Sequence, residues 1–269
     1  MSVSVLLLRL AGPMQSWGDR PAMDTRMTGR VPTKSGVIGL LGAALGLERG
    51  ADLEKLRELR MGVRVDRRGR LLRDFHTASN YEWIGPKALQ PKNLPRSEVN
   101  AAGMQQLRTG KTPMTTVQTW RYYLQDASFL VGLEGEREFL GRLDEAVRRP
   151  WFPLALGRRS CPPAGRVSLG VKEGESLVGV LRSEPWAPRT RKERSEGDEI
   201  ELEFVWEDED GEELVRDVPV SFAPTERAWR ERAVTRDSLP VKVAGSSAAV
   251  PGPPASTVDA EHDPLWWTE

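Results

Sequence analysis

Apolar and polar positions along the chain fall into short runs with two different periods. Val3 to Leu10 is a continuous valine- and leucine-rich run stopped by Gly12 and Pro13, which predicts a buried first strand. From about Thr33 the period becomes helical. Ile38, Leu41 and Leu45 share one side, Val37, Leu40 and Leu47 flank it, and Gly36, Gly39, Ala43 and Gly46 share the other. An interior glycine costs a helix about 1 kcal/mol against alanine. Repeated glycine therefore predicts a face kept bare because another backbone, from a sheet or a ligand, comes close. Leu53, Leu56 and Leu59 predict a second short helix over Ala51 to Arg60. Met61 to Phe75 reads as a β-hairpin with Gly69 in its turn. Thr116 to Leu124 and Ser128 to Leu133 read as strands joined at Asp126 and Ala127. Glu136 to Arg149 reads as an amphipathic helix with Phe139, Leu140, Leu143 and Val147 inward, stopped by Pro150.

This order predicts an α+β protein: a ferredoxin-like (RRM-like) βαββαβ domain over 1–165, interrupted by a long polar, proline- and glycine-broken insertion over 77–115. A smaller β-rich C-terminal region is expected over 166–243, opening with strands in Arg166 to Leu181. In it Ile200 to Trp206 and Leu214 to Val220 read as an acidic hairpin, and Trp229, Arg230 and Arg232 as a short basic helix-like piece. Residues 244–269 are low in complexity and expected to be disordered, with Trp266 and Trp267 either docking on a partner or incidental.

Composition changes this picture in two ways. The net charge is zero, but residues 1–170 hold 27 Lys+Arg against 16 Asp+Glu, a net +11, and the remainder is −11. The front of the chain therefore suits a polyanion, while the neutral total argues against indiscriminate nucleic-acid binding. One cysteine, Cys161, leaves no internal disulfide and no cysteine-based zinc cluster. No apolar run is long enough to span a bilayer, SVLLLRLAG lacks a signal-cleavage pattern, and a cytoplasmic location is expected.

The candidate chemistry is that of anion binding. Arg9, Arg20, Arg26 and Arg30 precede the glycine-rich helix and Lys34 sits at its start, where free amides and cations make a phosphate site. GRVPTKSG lacks the spacing of a Walker loop. Trp17 is either packed or stacked on a base. Arg108 and Lys111 lie in the insertion; Arg158 and Arg159, after Gly157, suit either bidentate phosphate contact or carboxylates within the fold. No metal or cofactor motif and no catalytic set emerges. His76, near Asp74, is the one histidine outside the tail, with Tyr122, Tyr123 and Lys111 as other candidates for a general base.

RLAGPMQSWG, R-x-TGR-x-PTKSG-x-x-GLLGAALG, DFHT (74–77), VQTWRYYLQDASFLVGL (117–133) and LGRRSCP (156–162) occur in an order that resembles the fifth CRISPR-associated protein family, in its CasD branch from type I-E Cascade. The resemblance covers most of residues 1–170 and fades beyond about Val180. It implies a non-catalytic, RNA-binding subunit that holds the 5′ handle of the crRNA in antiviral defense. It also implies a thumb built from the 77–115 insertion. The implied protein neighbours are the Cascade backbone subunit and the large subunit, with target DNA reached only through the complex and no membrane partner. The rival reading is a metal-independent endoribonuclease that processes repeat RNA with His76. A third is a protein-interaction subunit without RNA contact.

Overall fold

The computed structural model of the chain describes residues 2–18, 25–79, 97–99, 105–109, 112–188, 198–223 and 226–244, with backbone alone over 78–117. The first strand, β1 (Val3–Ala11), is buried on both sides: Leu6, Leu8 and Leu10 face one core, Val5 and Leu7 the other. Its continuous apolar run follows from that double burial. The long loop after it contains β2 (Met14–Gln15) and β3 (Thr25–Arg26). Then come α1 (Lys34–Leu45), α2 (Glu54–Arg57), β4 (Arg60–Arg67), β5 (Arg70–Ser79), β6 (Ser97–Val99), β7 (Gln105–Thr109), β8 (Thr112–Gln125) and β9 (Ser128–Glu134). The chain continues through α3 (Arg137–Arg148), β10 (Ser168–Gly174), α4 (Leu177–Ser183), β11 (Glu199–Glu207), β12 (Glu213–Ser221) and β13 (Ala228–Lys242).

The fold is α+β. One seven-stranded sheet runs β10-β1-β9-β4-β11-β13-β12. Its first four strands are antiparallel neighbours. α1 lies between β1 and β4 in the chain, and α3 between β9 and β10. Both helices share one core with β1, β4 and β9, into which Val37, Ile38, Leu41, Leu140, Leu143 and Val147 project. Thr33 caps α1, its hydroxyl accepting from the Gly36 N–H at 3.2 Å, and Gly46 ends it at φ 73°.

Several expected elements take a different form. Met61 to Phe75 is not a hairpin, because β4 pairs with β9 and β11 whereas β5 pairs with β8. The two strands expected around Asp126 likewise do not pair with each other. β4–β9 runs on into β5–β8, from Arg67↔Ser128 to Arg70↔Gln125, as one antiparallel ribbon bent where it leaves the first sheet. Gly69, at φ 72°, makes the bend possible: a Cβ there would lie 2.6 Å from the Gln125 carbonyl. β2, β3, β6 and β7 join this ribbon in a six-stranded second sheet. The expected insertion thus belongs to a ribbon that starts at Arg70; its residues 80–96, 100–104 and 110–111 lie outside the described residues.

Helix α2 is confined to Glu54–Arg57, since Arg60 already belongs to β4. SLVGVL, expected as strand, forms α4, capped by Ser176 and burying Leu177, Val180 and Leu181 at i, i+3 and i+4. The region expected to begin at 166 continues the first sheet: β10 pairs with β1, and β11 with β4. Its acidic hairpin is split, because β13 lies between β11 and β12. Both Glu207 and Glu213 pair with Val234, so the link between them crosses β13 there. Gly211 permits the crossing, since a Cβ would sit 2.6 Å from the Val234 carbonyl. The expected basic helix-like piece at Trp229 to Arg232 is part of β13. Residues 245–269, with His262, Trp266 and Trp267, lie outside the described residues.

Candidate nucleic-acid interface

The loop between β1 and α1 is held by three clasps. Gln15 is fully buried and its amide donates to the Leu10 carbonyl at 3.0 Å and the Ala127 carbonyl at 2.8 Å. Its oxygen accepts from the Trp17 indole at 3.1 Å. The Ser16 N–H donates to the Leu156 carbonyl at 3.0 Å, and the Ser16 hydroxyl to the Tyr122 carbonyl at 3.1 Å. Thr28 accepts from the Trp17 N–H at 2.8 Å, and the Gly29 N–H donates to the Trp17 carbonyl at 2.6 Å. Gly157, at φ 85°, lies so near Ser16 that a Cβ would fall 1.8 Å from its carbonyl oxygen. The QSW and LGRRSCP segments therefore form one packed unit.

Trp17 is completely buried, which corrects the base-stacking alternative for it. Its ring fills the space left by Gly36, whose added Cβ would lie 2.8 Å away. Gly39 faces open space, while a Cβ on Gly46 would lie 2.8 Å from the Trp151 ring, so the close neighbours of this face are tryptophan rings at Gly36 and Gly46.

Lys34 is also corrected as a contact for a strand from outside. It is 3% exposed, and its ammonium lies 2.9 Å from Glu207. The anion at the start of α1 is a side chain of this protein: the Lys34 N–H donates to Asp217 at 2.7 Å. Arg232 binds Asp217 with both Nε and Nη2, at 2.6 and 2.9 Å, and reaches Glu207 at 3.3 Å. Burial pushes the Lys34 ammonium below its ordinary value, against the opposing pull of Glu207. Burial also works against the charge on Arg232, but Asp217 and Glu207 outweigh it and raise the guanidinium above its ordinary value.

Arg9 points to the other side of the sheet with Val5 and Leu7, 3.8 Å from Glu184. Arg68 pairs with Glu203 at 3.0 Å, and Arg137 pairs with Glu173. Acidic residues from beyond position 170 thus neutralise part of the positive front half internally. Arg20 and Lys111 lie outside the described residues, and Arg108 is on β7 with only its backbone described.

Of the remaining candidates, Arg26 and Arg158 meet at the base of the ribbon. Arg158 lies over the Tyr123 ring, 4.8 Å from its centroid, and donates to the Arg26 carbonyl at 2.8 Å. Its buried Nη1 has no hydrogen-bond partner among the described residues. Burial of Cys161, close by in the same turn, raises its thiol above the ordinary value. β3 pairs in parallel with β8, setting Arg26 beside Arg121. Arg26, Arg30 and Arg159 are exposed and form no ion pair among the described residues. Arg121 donates to Thr119 at 3.2 Å and joins the group without having been expected. The alternation in TWRYY carries the signal for it: Arg121 and Tyr123 take one side of β8, Trp120 and Tyr122 the other.

His76 is exposed on β5 opposite Thr119, with Asp74 on the same side opposite Arg121. Tyr123 is buried beneath Arg158. Among the described residues no group of three His, Cys, Asp or Glu is arranged to hold a metal ion, and no helix is long and apolar enough to cross a membrane.

Residues 5–235 match the family described as CRISPR-associated protein (Cas_Cas5). The CRISPR system Cascade subunit CasD of Escherichia coli (strain K12) is 34% identical over 253 residues, covering 88% of this chain and 98% of that protein. A chain of a solved CRISPR RNA-guided surveillance complex is 32% identical, with a TM-score of 0.69 over 90% of this chain and 93% of the other. A solved Cas protein is 36% identical, with a TM-score of 0.62 over 89% of this chain and 98% of the other.

Proposed function

The chain belongs to the CRISPR-associated Cas5 family, and on that premise we propose that it is a non-catalytic, crRNA-binding subunit of a Cascade surveillance complex. Its relative named as a Cascade subunit and its likeness to a surveillance-complex chain support the assembly. In this reading it holds the crRNA 5′ handle and abuts the backbone and large subunits, with target DNA engaged through the complex. The strand order β10-β1-β9-β4, crossed by α1 and α3, fits a ferredoxin-like βαββαβ unit, with the β5–β8 ribbon as the thumb's stem. A cytoplasmic ribonucleoprotein is the matching setting.

One observation carries the RNA reading. Arg26, Arg30 and Arg159 are exposed and have no carboxylate partner among the described residues, while Lys34 and Arg9 have one. Arg158 supplies a guanidinium fixed by Tyr123 and the Arg26 carbonyl. Guanidinium groups with no carboxylate partner among the described residues suit the phosphates of one strand.

The test is Arg26→Glu with Arg30→Glu, measured as affinity for handle-containing RNA over a salt series. Each lost phosphate contact should make the slope of log K against log salt shallower by about 0.7. Weaker binding with a shallower slope supports the proposal; unchanged affinity and slope overturn it.

A further inference from the structure

The ribbon has two chemically different faces. On one, Arg121 and Tyr123 alternate along β8, with Arg158 lying over Tyr123 and Arg26 alongside. On the other, the register sets Phe75 opposite Trp120, Arg73 opposite Tyr122 and Leu71 opposite Leu124. Phe75 is 55% exposed and Trp120 38%. Their ring centroids lie 5.8 Å apart at an interplanar angle of 53°. Neither ring belongs to the core, and Arg73, exposed two residues before Phe75 on the same face of β5, has no ion pair among the described residues.

The solvent face of an antiparallel sheet is normally polar. Two large aromatic rings held there by directly opposed strand positions need a partner that covers them. Two features favour an unpaired nucleic-acid strand over an apolar protein surface. Arg73, beside the ring pair on the same face and without an ion pair among the described residues, would lose its water to an apolar partner with nothing in return. The opposite face of the same ribbon carries Arg121 and Arg158, with Arg26 alongside. Aromatic rings interleaved with cations are how single strands are held without base-pair readout: rings stack on bases and guanidinium groups follow the phosphates.

We propose that Phe75 and Trp120 form a stacking platform for one or two unpaired bases of a bound RNA strand, with Arg73 contacting the adjoining phosphate. This rests on the RNA-binding reading above and adds to it where the bases, rather than the phosphates, are held. The platform distinguishes a strand that has bases from one that does not, and it favours purines because their larger rings cover more of the indole.

The experiment uses the purified full chain and two labelled RNA probes: an eight-nucleotide oligoadenylate and an abasic strand of equal length. Trp120→Ala and Phe75→Ala should each weaken oligoadenylate binding by about 5- to 150-fold. Trp120→Phe, which keeps a ring, should retain most of the affinity and guards against a folding artefact. Abasic binding and the salt slope should be unchanged in all three. Oligoadenylate affinity of Trp120→Ala within twofold of wild type overturns the proposal, as does an equal loss on the abasic strand. Unchanged RNA binding with lost co-purification of partner subunits overturns it in favour of a protein contact. If the wild-type chain binds neither probe, the RNA-binding reading fails as well, which separates the two failures.

Discussion

Replacing Asp217 with alanine is the sharpest test of how the electropositive front is used. Asp217 is 3% exposed and accepts three hydrogen bonds, two from Arg232 and one from the Lys34 N–H. Without it, Lys34 and Arg232 share a single carboxylate, Glu207. Removing one member of a buried, hydrogen-bonded charge group costs about 3–5 kcal/mol. The lost helix-start hydrogen bond, about 0.5–1.5 kcal/mol, falls within that figure because the same carboxylate makes it. For a chain of this size about 1 kcal/mol moves Tm by about 2–4 °C, so a drop of about 6–20 °C is expected. Asp217→Asn, which keeps an acceptor for the helix N–H, should lose less. Adding Arg232→Met to Asp217→Ala should recover part of the loss, because the stranded cation is gone. Thermal unfolding by circular dichroism reads all three variants. RNA affinity measured below Tm should stay within about twofold of wild type, since the network is internal. A Tm within about 2 °C of wild type for Asp217→Ala refutes the reasoning. So does a loss of RNA affinity at unchanged Tm, which would return Lys34 to the interface.

Trp17→Ala should lower stability in urea unfolding by about 3–5 kcal/mol through a core cavity, and Trp17→Phe by clearly less. Gly157→Ala places a side chain on the Ser16 carbonyl and demands a left-handed residue, so limited proteolysis should cut the β1–α1 loop faster than in wild type. Asp144 joins α3 to β10: burial opposes its charge, but hydrogen bonds from Arg148 and Ser168 prevail and hold the carboxyl below its ordinary 3.8. The stability this gives is present above pH 3.8 and is lost as pH falls through the lower folded value, so the gap between wild type and Asp144→Asn should close in an acid titration of unfolding.

Local pattern carried the first strand, α1 with its start near Thr33, and α3 with Leu140, Leu143 and Val147 inward. These signals lie within a few residues and need no partner. Strand pairing does not. RRGR between two alternating runs looks the same whether the strands fold back on each other or pass into different sheets. Only the distant partners, β9 for β4 and β8 for β5, decide it. The acidic pair β11 and β12 misled in the same way, because β13 supplied the partner for both. At the candidate interface, Arg26 and Arg158 were legible as cations near glycine, and their meeting across 132 positions was not. Lys34 shows the limit of counting charge: its neutralising residues, Glu207 and Asp217, come from the acidic half of the chain. Trp17 and Trp120 both follow polar residues near glycine or threonine, yet one is sealed inside and the other exposed, a difference set by Gly36 and by strand register.

The bent ribbon makes the molecule a lever. Its two long strands do not end at the surface; they pass through the bend at Gly69 and become β4 and β9, interior members of the seven-stranded sheet. A push on the ribbon is therefore delivered along covalent backbone to the interior of the seven-stranded sheet. A neighbour that grasps the ribbon loads the strands packed beneath α1 and α3. Amide exchange in β4 and β9 would slow on such engagement, even though nothing touches those strands from outside.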